Sequence, residues 1–240
     1  MLSNNQRKLI LQLKNKKYRV SNNLFVAEGK KVVNELISNN WEYKMLFATD
    51  DSIIPEALII KNEEMKKITH FNTPSPILGV FEIPGEKKII NESTSIALEG
   101  INDPGNLGTI IRLCDWFGFS ELFCSSDTVD CFNSKVIQAS AGSIVRVTCH
   151  YLDDFPKQLI SLNKPVYATN TNGQSIYSKE LVKRATYVFG SEAHGISSSI
   201  SEIVSGEISI PKFRSGHKKA ESLNVANATA IILSELLRPK

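Results

Sequence analysis

The chain has 240 residues, of which 42% are hydrophobic and 22% charged, and its formal net charge is +3. This length allows one large domain or two small ones, and the composition is that of a globular protein rather than a disordered or fibrous one. No apolar run approaches the roughly 18 residues that a membrane span needs, and the first residues lack the apolar core of a signal peptide. We therefore expect a cytoplasmic protein.

The positive charge is concentrated near the N-terminus. Residues 1–31 contain eight Lys or Arg and one acidic residue, whereas residues 91–240 contain 14 basic and 15 acidic residues. A basic arm on a near-neutral body favours a polyanionic partner such as nucleic acid. On charge alone, a solvated helix face is the more common explanation of such a run.

The four cysteines do not have the spacing of a metal or redox motif. Cys114, Cys124, Cys131 and Cys149 include no Cys-x-x-Cys pair. Small buried thiols in a reducing compartment are the simpler explanation, and we expect no metal ion.

The first third of the chain predicts a small α/β domain. Apolar residues recur at helical spacing in two segments, and short apolar runs indicate strands in three others. The predicted helices cover 3–17 and 29–39, and the predicted strands cover 44–48, 57–60 and 77–81. Turn-forming and charged residues then predict a linker at about 83–94, so the first domain is expected at 1–86.

The rest of the chain alternates between predicted strands and predicted helices. The strands are expected at 95–99, 121–125, 166–169, 186–189 and 207–210, and the helices at 106–118, 134–141, 154–162, 196–204 and 223–237. Strands that alternate with helices of this length predict a parallel sheet covered on both faces. We expect this second domain to span 95–240.

Three short polar motifs follow predicted strands in the second domain. The first begins at Asn102-Asp-Pro-Gly-Asn106, a strong turn signal in which Asn106 is a natural N-cap for the next helix. Arg112 lies further along that helix, among apolar and small residues. An arginine there either pairs with a carboxylate or snorkels to the surface, or it binds a phosphate or ribose through its planar fork.

The second motif, Gly190-Ser-Glu-Ala-His-Gly195, follows a predicted buried strand. Its glycines allow the backbone to approach a ligand closely. Glu192 could cap the following helix, or it could hold a substrate hydroxyl or an arginine. His194 is expected to make hydrogen bonds within the loop rather than to act as a general base.

The third motif has two halves joined by a basic loop. Ile210-Pro211 ends a strand, and Ser222-Leu-Asn-Val225 opens the last helix, which Ser222 can cap. In open α/β sheets, ligands bind beyond the carboxyl ends of the strands. The three motifs therefore predict one shared ligand.

Together the motifs resemble those of the SpoU/TrmH-type RNA ribose 2′-O-methyltransferases of the SPOUT superfamily. The family's Asn-x-Gly…Arg motif matches Asn106, Gly108 and Arg112, its Gly-x-Glu-x-x-Gly motif matches 190–195, and its Ile-Pro…Ser-Leu-Asn-Val motif matches 210–211 and 222–225. The segments at 17–19 and 24–29 are similar to the family's small substrate-binding domain, which has a ribosomal-protein-like fold. The resemblance covers nearly the whole chain.

The resemblance implies a SPOUT fold for the second domain, which is an α/β fold with a parallel sheet and a deep trefoil knot. A small α/β substrate-binding domain would precede it. The implied cofactor is S-adenosylmethionine, held in the knot, and the implied assembly is a homodimer through the knotted region, with each site completed by both subunits. The residues implied to line the cofactor site are Thr169, Asn170, Gly190, Gly195, Ile210 and Leu223.

The implied reaction is methyl transfer to a ribose 2′-hydroxyl of structured RNA. The separate N-terminal domain favours ribosomal RNA over transfer RNA as the substrate. Arg112 is implied to activate the hydroxyl, while Asn106, Glu192 and Asn224 are implied to position Arg112 and the ribose. The loop between Pro211 and Ser222 is longer and more basic than the family's usual loop, which indicates RNA contact. The expected RNA-binding residues are Lys16, Lys17, Arg19, Arg214, Lys218 and Lys219.

Three other functions are compatible with parts of the pattern. One is an RNA-binding protein on this fold that has lost catalysis, against which the intact Asn106, Arg112, Glu192 and Asn224 argue. The second is a SPOUT enzyme that methylates a base; the Ser-Leu-Asn-Val stretch favours ribose methylation instead. The third is an unrelated nucleotide-binding α/β protein, but neither a Gly-x-Gly-x-x-Gly fingerprint nor a phosphate-loop lysine motif is present.

Overall fold

The computed structural model describes residues 2–178, 180–213 and 222–239. Contacts divide the chain into two compact units, one formed by Met1–Lys87 with Asp130–Val145 and the other by Lys88–Val129 with Arg146–Lys240. Residues 130–145 pack with the N-terminal unit. The bounds expected for the two domains, 1–86 and 95–240, and for the linker, 83–94, stay predictions.

The N-terminal part contains four helices and four strands. In chain order they are α1 (Asn4–Gln12), α2 (Lys16–Asn22), β1 (Leu24–Glu28), α3 (Lys30–Ser38), β2 (Tyr43–Ala48), β3 (Leu58–Ile59), α4 (Asn62–Ile68) and β4 (Ile77–Glu82). The strands form one sheet in the order β1-β4-β2-β3, in which only the β2–β3 pair is parallel. The single helix expected at 3–17 is two helices, because the Asn15 side chain accepts the Lys17 backbone N–H at 2.9 Å and starts α2.

The remaining residues contain the second sheet, the helices around it, and α6, which belongs to the N-terminal unit. In chain order they are β5 (Ser95–Glu99), α5 (Pro104–Trp116), β6 (Glu121–Ser125), α6 (Ser134–Ser140), β7 (Thr148–Leu152), α7 (Phe155–Ser161), β8 (Val166–Ser175), β9 (Thr186–Gly190), α8 (Ser198–Ser201), β10 (Gly206–Ser209) and α9 (Val225–Leu236). The six strands are parallel, in the order β10-β8-β9-β5-β6-β7. This confirms the predicted parallel α/β fold. Within the described ranges, no helix is long and apolar enough to cross a bilayer.

The segment at 130–145 is tied to the N-terminal unit by buried polar contacts. The Arg19 guanidinium donates to Asp130 Oδ2 from Nε at 2.8 Å and from Nη2 at 2.6 Å, and its Nη1 donates to the carbonyl oxygens of Leu13 and Lys14 at 2.9 and 2.8 Å. Arg19 is only 2% exposed. This burial contradicts the prediction that Arg19 contacts RNA, because its donors are satisfied inside the protein.

A second polar contact holds the start of α6. His70 Nε2 donates to the Ile10 carbonyl at 2.8 Å, since a carbonyl can only accept, which leaves Nδ1 to accept the Ser134 hydroxyl at 2.5 Å. Burial lowers the pKa of His70 to about 4, so the ring is neutral at physiological pH. The neutral ring therefore links α1, α4 and α6 without adding a buried charge.

A large bulge in β8 shapes the edge of the second sheet. Tyr167 and Ala168 pair with the start of β10, but the next residues of β10 pair with Gln174 and Ser175. Residues 169–173 of β8 therefore have no pairing partner in β10. The strand expected at 166–169 thus extends to Ser175. The deep trefoil knot that the resemblance implies stays a prediction.

Gly173 lies where β8 returns to β10. A Cβ atom at this position would come within 2.7 Å of backbone atoms of both Glu207 and Ile208, and the Ser209 hydroxyl donates to the Gly173 carbonyl at 2.6 Å. Only glycine permits this approach, because a neighbouring backbone cannot swing aside as a side chain can.

We expect Gly173→Ala to lower the free energy of unfolding by about 1–3 kcal/mol, the range for overpacking a tight contact. Urea unfolding measures the effect. Gly206→Ala is the matched control on the same strand pair, because its added Cβ would meet only the Tyr167 side chain, at 3.3 Å. A loss at Gly173 no larger than the loss at Gly206 would contradict the steric explanation.

Candidate active site at the carboxyl ends of the sheet

The turn before α5 leaves the Asn106 side chain available for other contacts. The N-cap of α5 is Asp103, whose carboxylate accepts the Asn106 backbone N–H at 2.8 Å, and Pro104 occupies the first turn. The prediction that Asn106 caps this helix is therefore wrong. Asp103 satisfies the exposed backbone donor, so the Asn106 amide can project toward the other motifs.

The loop after β9 is a tight turn that Gly190 makes possible. The Gly195 N–H donates to the Ser191 carbonyl at 2.8 Å, which closes the loop. A Cβ atom at Gly190 would lie 2.2 Å from the Gly195 carbonyl oxygen. A side chain at this position would push the return leg of the loop away, so the motif requires glycine there.

The start of α9 brings the third motif to the same place. Its N-cap is Asn224, not the predicted Ser222: Asn224 Oδ1 accepts the Ala226 and Asn227 N–H groups at 3.0 and 3.3 Å. The amide nitrogen of Asn224 then points outward and donates to Asn106 Oδ1 at 2.8 Å.

Glu192 joins all three motifs through one carboxylate oxygen. Its Oε1 accepts Asn106 Nδ2 at 3.3 Å, Asn224 Nδ2 at 2.8 Å and the Val225 backbone N–H at 3.1 Å. The Val225 contact also satisfies a free donor at the start of α9. The sequence suggested a helix cap or a ligand contact for Glu192, and the structure shows that it caps α9 rather than the helix that follows it. An oxygen that already accepts three donors is suited to positioning, not to proton transfer.

Arg112 is not hydrogen-bonded to this junction. It is exposed on α5, and it makes no hydrogen bond or ion pair with any residue of the described ranges. The neighbouring Asp115 is paired instead with Arg146, whose Nε donates at 2.9 Å. The carboxylate partner considered for Arg112 from the sequence is thus not found in this part of the chain, and its donors are available to a ligand.

A cavity of about 470 Å³ lies beside the junction, at the bulge of β8 and the carboxyl ends of β9 and β10. All of the residues expected to line a cofactor site are on its wall: Thr169, Asn170, Gly190, Gly195, Ile210 and Leu223. Its size falls in the range of small-molecule sites. The bulge of β8, the Gly190 loop and the entry to α9 each supply one side of it.

Sequence reasoning missed the apolar part of this cavity. Phe189, Ile208, Val225 and Ile232 also line it. Each belongs to the strand or helix that carries a motif, and an apolar residue within a strand or helix looks like ordinary core. Only their closeness in sequence to the motifs could have indicated that they line the site. The result is a cavity with a larger apolar than polar surface, lined also by glycine backbone and by polar side chains that include Asn170 and Glu192.

The expected RNA-binding residues are distributed over different parts of the chain. Lys16 and Lys17 are exposed on α2 of the N-terminal unit. Arg214, Lys218 and Lys219 lie outside the described residues. Among the residues that are described, no group of three or more His, Cys, Asp or Glu is arranged to hold a metal ion.

Comparison with known proteins identifies both parts of the chain. Residues 93–234 match the model of the SpoU rRNA methylase family, and residues 4–79 match the MRM3-like substrate binding domain. The 23S rRNA (guanosine(2553)-2′-O)-methyltransferase RlmP of Bacillus subtilis is 28% identical over 236 residues, which are 94% of this chain and 93% of that protein.

Solved structures agree over the full length. A candidate RNA methyltransferase of the TrmH family from Porphyromonas gingivalis has a TM-score of 0.87 and 34% identity, covering 99% of both chains. An S-adenosylmethionine-bound rRNA methyltransferase from Sinorhizobium meliloti has a TM-score of 0.83 and 27% identity, covering 99% of this chain and 96% of that one. The resemblance predicted from the motifs is confirmed, and the chain belongs to the SpoU rRNA methylase family.

Proposed function

We propose that this chain transfers a methyl group from S-adenosylmethionine to a ribose 2′-hydroxyl of ribosomal RNA. The observation that carries the proposal is the junction at Glu192, where the three motifs meet beside one cavity. The name of the Bacillus subtilis relative specifies 2′-O-methylation of 23S rRNA, which supports both the position of the methyl group and ribosomal RNA over transfer RNA.

The cavity fits S-adenosylmethionine in size and chemistry. Its apolar residues suit the adenine base, and the glycine backbone at 190 allows the close approach that main-chain hydrogen bonds need. Thr169, Asn170, Gly190, Gly195, Ile210 and Leu223 are the residues that would hold the cofactor. When bound, S-adenosylmethionine supplies an electrophilic methyl group on a sulfonium. The protein supplies orientation and a path for the hydroxyl proton.

Arg112 is the residue that we assign to the ribose hydroxyl. Because a guanidinium stays protonated in proteins, Arg112 cannot serve as the base. It can instead stabilise the developing alkoxide while an RNA phosphate or a water molecule takes the proton. The Asn106 and Asn224 amides, fixed by Glu192, would orient the ribose next to it.

We propose that the enzyme is a homodimer through its C-terminal unit. Arg112 and Trp116 lie one turn apart on α5, and Trp116 is 84% exposed. A second copy would cover this tryptophan and place the unpartnered Arg112 at a shared site. Analytical ultracentrifugation tests the proposal, and a monomer at micromolar concentration would contradict it.

We propose Lys16 and Lys17 as RNA contacts of the N-terminal unit, and Arg214, Lys218 and Lys219 as contacts of the basic loop. The basic charge of both segments supports this assignment. Neutralising either set should weaken RNA binding and flatten its salt dependence. Unchanged affinity at low salt would contradict the assignment of that set.

An enzyme acting on ribosomal RNA is also expected in the cytoplasm.

Replacing Glu192 tests whether the junction positions the reacting groups. We expect Glu192→Ala to lower turnover by roughly 10- to 100-fold, because misplacing a positioned group by about 1 Å has an effect of that size. Glu192→Gln is the matched variant, since its amide oxygen can still accept the same donors. Steady-state methyl transfer measures both, and a glutamine variant as impaired as the alanine variant would show that the negative charge matters more than positioning.

The proposed function is tested by offering labelled S-adenosylmethionine to separated, unmodified ribosomal and transfer RNA pools. We expect label in the ribosomal pool. Label in transfer RNA alone would overturn the substrate assignment. Binding of S-adenosylmethionine with no transfer to either pool would indicate a binding protein that lacks catalysis.

A further inference from the structure

A carboxylate outside the three motifs holds the far end of the Gly190 loop. Glu99 is the last residue of β5, and in the sheet it pairs with Gly190, where the loop begins. Its Oε2 accepts the Ser197 backbone N–H at 2.9 Å, and its Oε1 accepts the Ser197 hydroxyl at 2.5 Å. Both oxygens of one half-buried side chain therefore fix a residue just beyond the loop.

Ser197 is itself well placed to transmit this restraint. It is the N-cap of α8, and its Oγ accepts the Ile200 N–H at 3.3 Å while donating to Glu99. The two residues immediately before it, Gly195 and Ile196, line the cavity. Besides the Gly195–Ser191 hydrogen bond that closes it, the loop is thus held by β9 at its start, by Glu192 in its middle, and by Glu99 at its end.

We propose that Glu99 is a positioning residue for cofactor binding, acting through Ser197 to hold the return leg of the Gly190 loop against the cavity. This inference rests on the proposed function. Without Glu99, the Gly195–Ile196 wall would lose the two hydrogen bonds that fix the next residue, Ser197, and would keep only the packing of the Ile196 side chain against the core among the contacts described here. Neither Asn106 nor Arg112 is bonded to Glu99, so the groups that act on the ribose keep their places.

This arrangement predicts a specific kinetic signature. Charge-assisted hydrogen bonds contribute more than neutral ones, and the loss of a single one corresponds to a fold-change of about 10. We expect Glu99→Ala to raise the KM and the Kd for S-adenosylmethionine about 10-fold or more, with kcat at saturating cofactor within about 3-fold of wild type. Glu99→Gln keeps one acceptor oxygen, and Ser197→Ala keeps the backbone donor, so each should give a smaller increase in the same direction.

Glu121 provides the matched control. It is a buried glutamate at the opposite end of the strands, and its carboxylate also holds backbone, accepting the Ile90 and Asn91 N–H groups at 2.7 and 3.0 Å. Glu121→Gln weakens a comparable restraint far from the cavity and is the counterpart of Glu99→Gln, so it should lower the melting temperature without changing the KM for S-adenosylmethionine.

The experiment combines calorimetric titration of S-adenosylmethionine, steady-state kinetics and thermal melting for these variants. A raised KM with nearly unchanged kcat for the Glu99 and Ser197 variants, but not for Glu121→Gln, would support the inference. An unchanged KM, or a KM raised equally by Glu121→Gln, would overturn it while the wild type still binds cofactor and transfers methyl groups. If the wild type does neither, the proposed function itself fails and this inference fails with it.

Discussion

Replacing Arg112 by alanine should abolish most methyl transfer while leaving the fold and cofactor binding intact. The side chain is exposed and unbonded to any residue that the structure describes, so its removal leaves no buried group without a partner. The expected loss in kcat is roughly 10²–10³-fold, the effect of removing one group that stabilises a developing oxyanion. Single-turnover methyl transfer, with cofactor affinity measured in parallel, separates the two effects.

Two further variants sharpen this test. Arg112→Lys keeps the charge but loses the planar fork, so it should recover only part of the activity. Arg146→Ala removes another partly exposed arginine of the same unit, one that pairs with Asp115 rather than facing a ligand. It should keep nearly full turnover. Near wild-type activity of Arg112→Ala would refute its proposed role.

Replacing Arg19 by alanine should have the largest effect on stability. The change leaves Asp130 without its ion-pair partner and two backbone carbonyls without their donors, all within a packed unit. Breaking a buried ion pair from one side destabilises a protein by about 3–5 kcal/mol. Lys17→Ala removes an exposed cation from the same helix, and it should change the free energy of unfolding by less than about 0.5 kcal/mol.

The positions of the two tryptophans allow the stability lost in Arg19→Ala to be measured in the N-terminal unit alone. Trp41 lies in the N-terminal unit, where its ring packs edge-on against Phe25 with centroids 5.8 Å apart, and Trp116 lies in the other unit. In a Trp116→Phe background, urea unfolding followed by fluorescence reports on Trp41 alone. Equal midpoints for the Arg19→Ala and Lys17→Ala proteins would show that the buried ion pair contributes little.

The second sheet was predictable because its strands have a clear sequence pattern. Five of the six were expected near their observed starts, and each of these five ends in glycine or a polar residue. The missed strand, β7, has mostly half-buried residues and a weak apolar pattern. In the N-terminal unit, β1 was missed as well, although all five of its residues are buried.

The site was predictable as a set of residues but not as a set of contacts. The motifs predicted that Asn106, Glu192 and Asn224 lie near one another. They did not predict the helix N-caps, which are Asp103 and Asn224, because a turn offers several side chains that can accept the same backbone donors. Arg19 was mistaken for a surface cation, since its partner Asp130 is 111 residues away. Glu99 and Ser197 are 98 residues apart, and no local pattern connects them.

The position of the transferred methyl group tests the central claim most directly. After transfer from labelled S-adenosylmethionine to unmodified ribosomal RNA, the RNA is digested to nucleosides and separated, with the Arg112→Ala enzyme as a parallel control. We predict that the label elutes as a 2′-O-methylnucleoside, and that the control RNA carries little of it. Label on a methylated base, with no methylated ribose, would contradict the assignment of the 2′-hydroxyl as the acceptor.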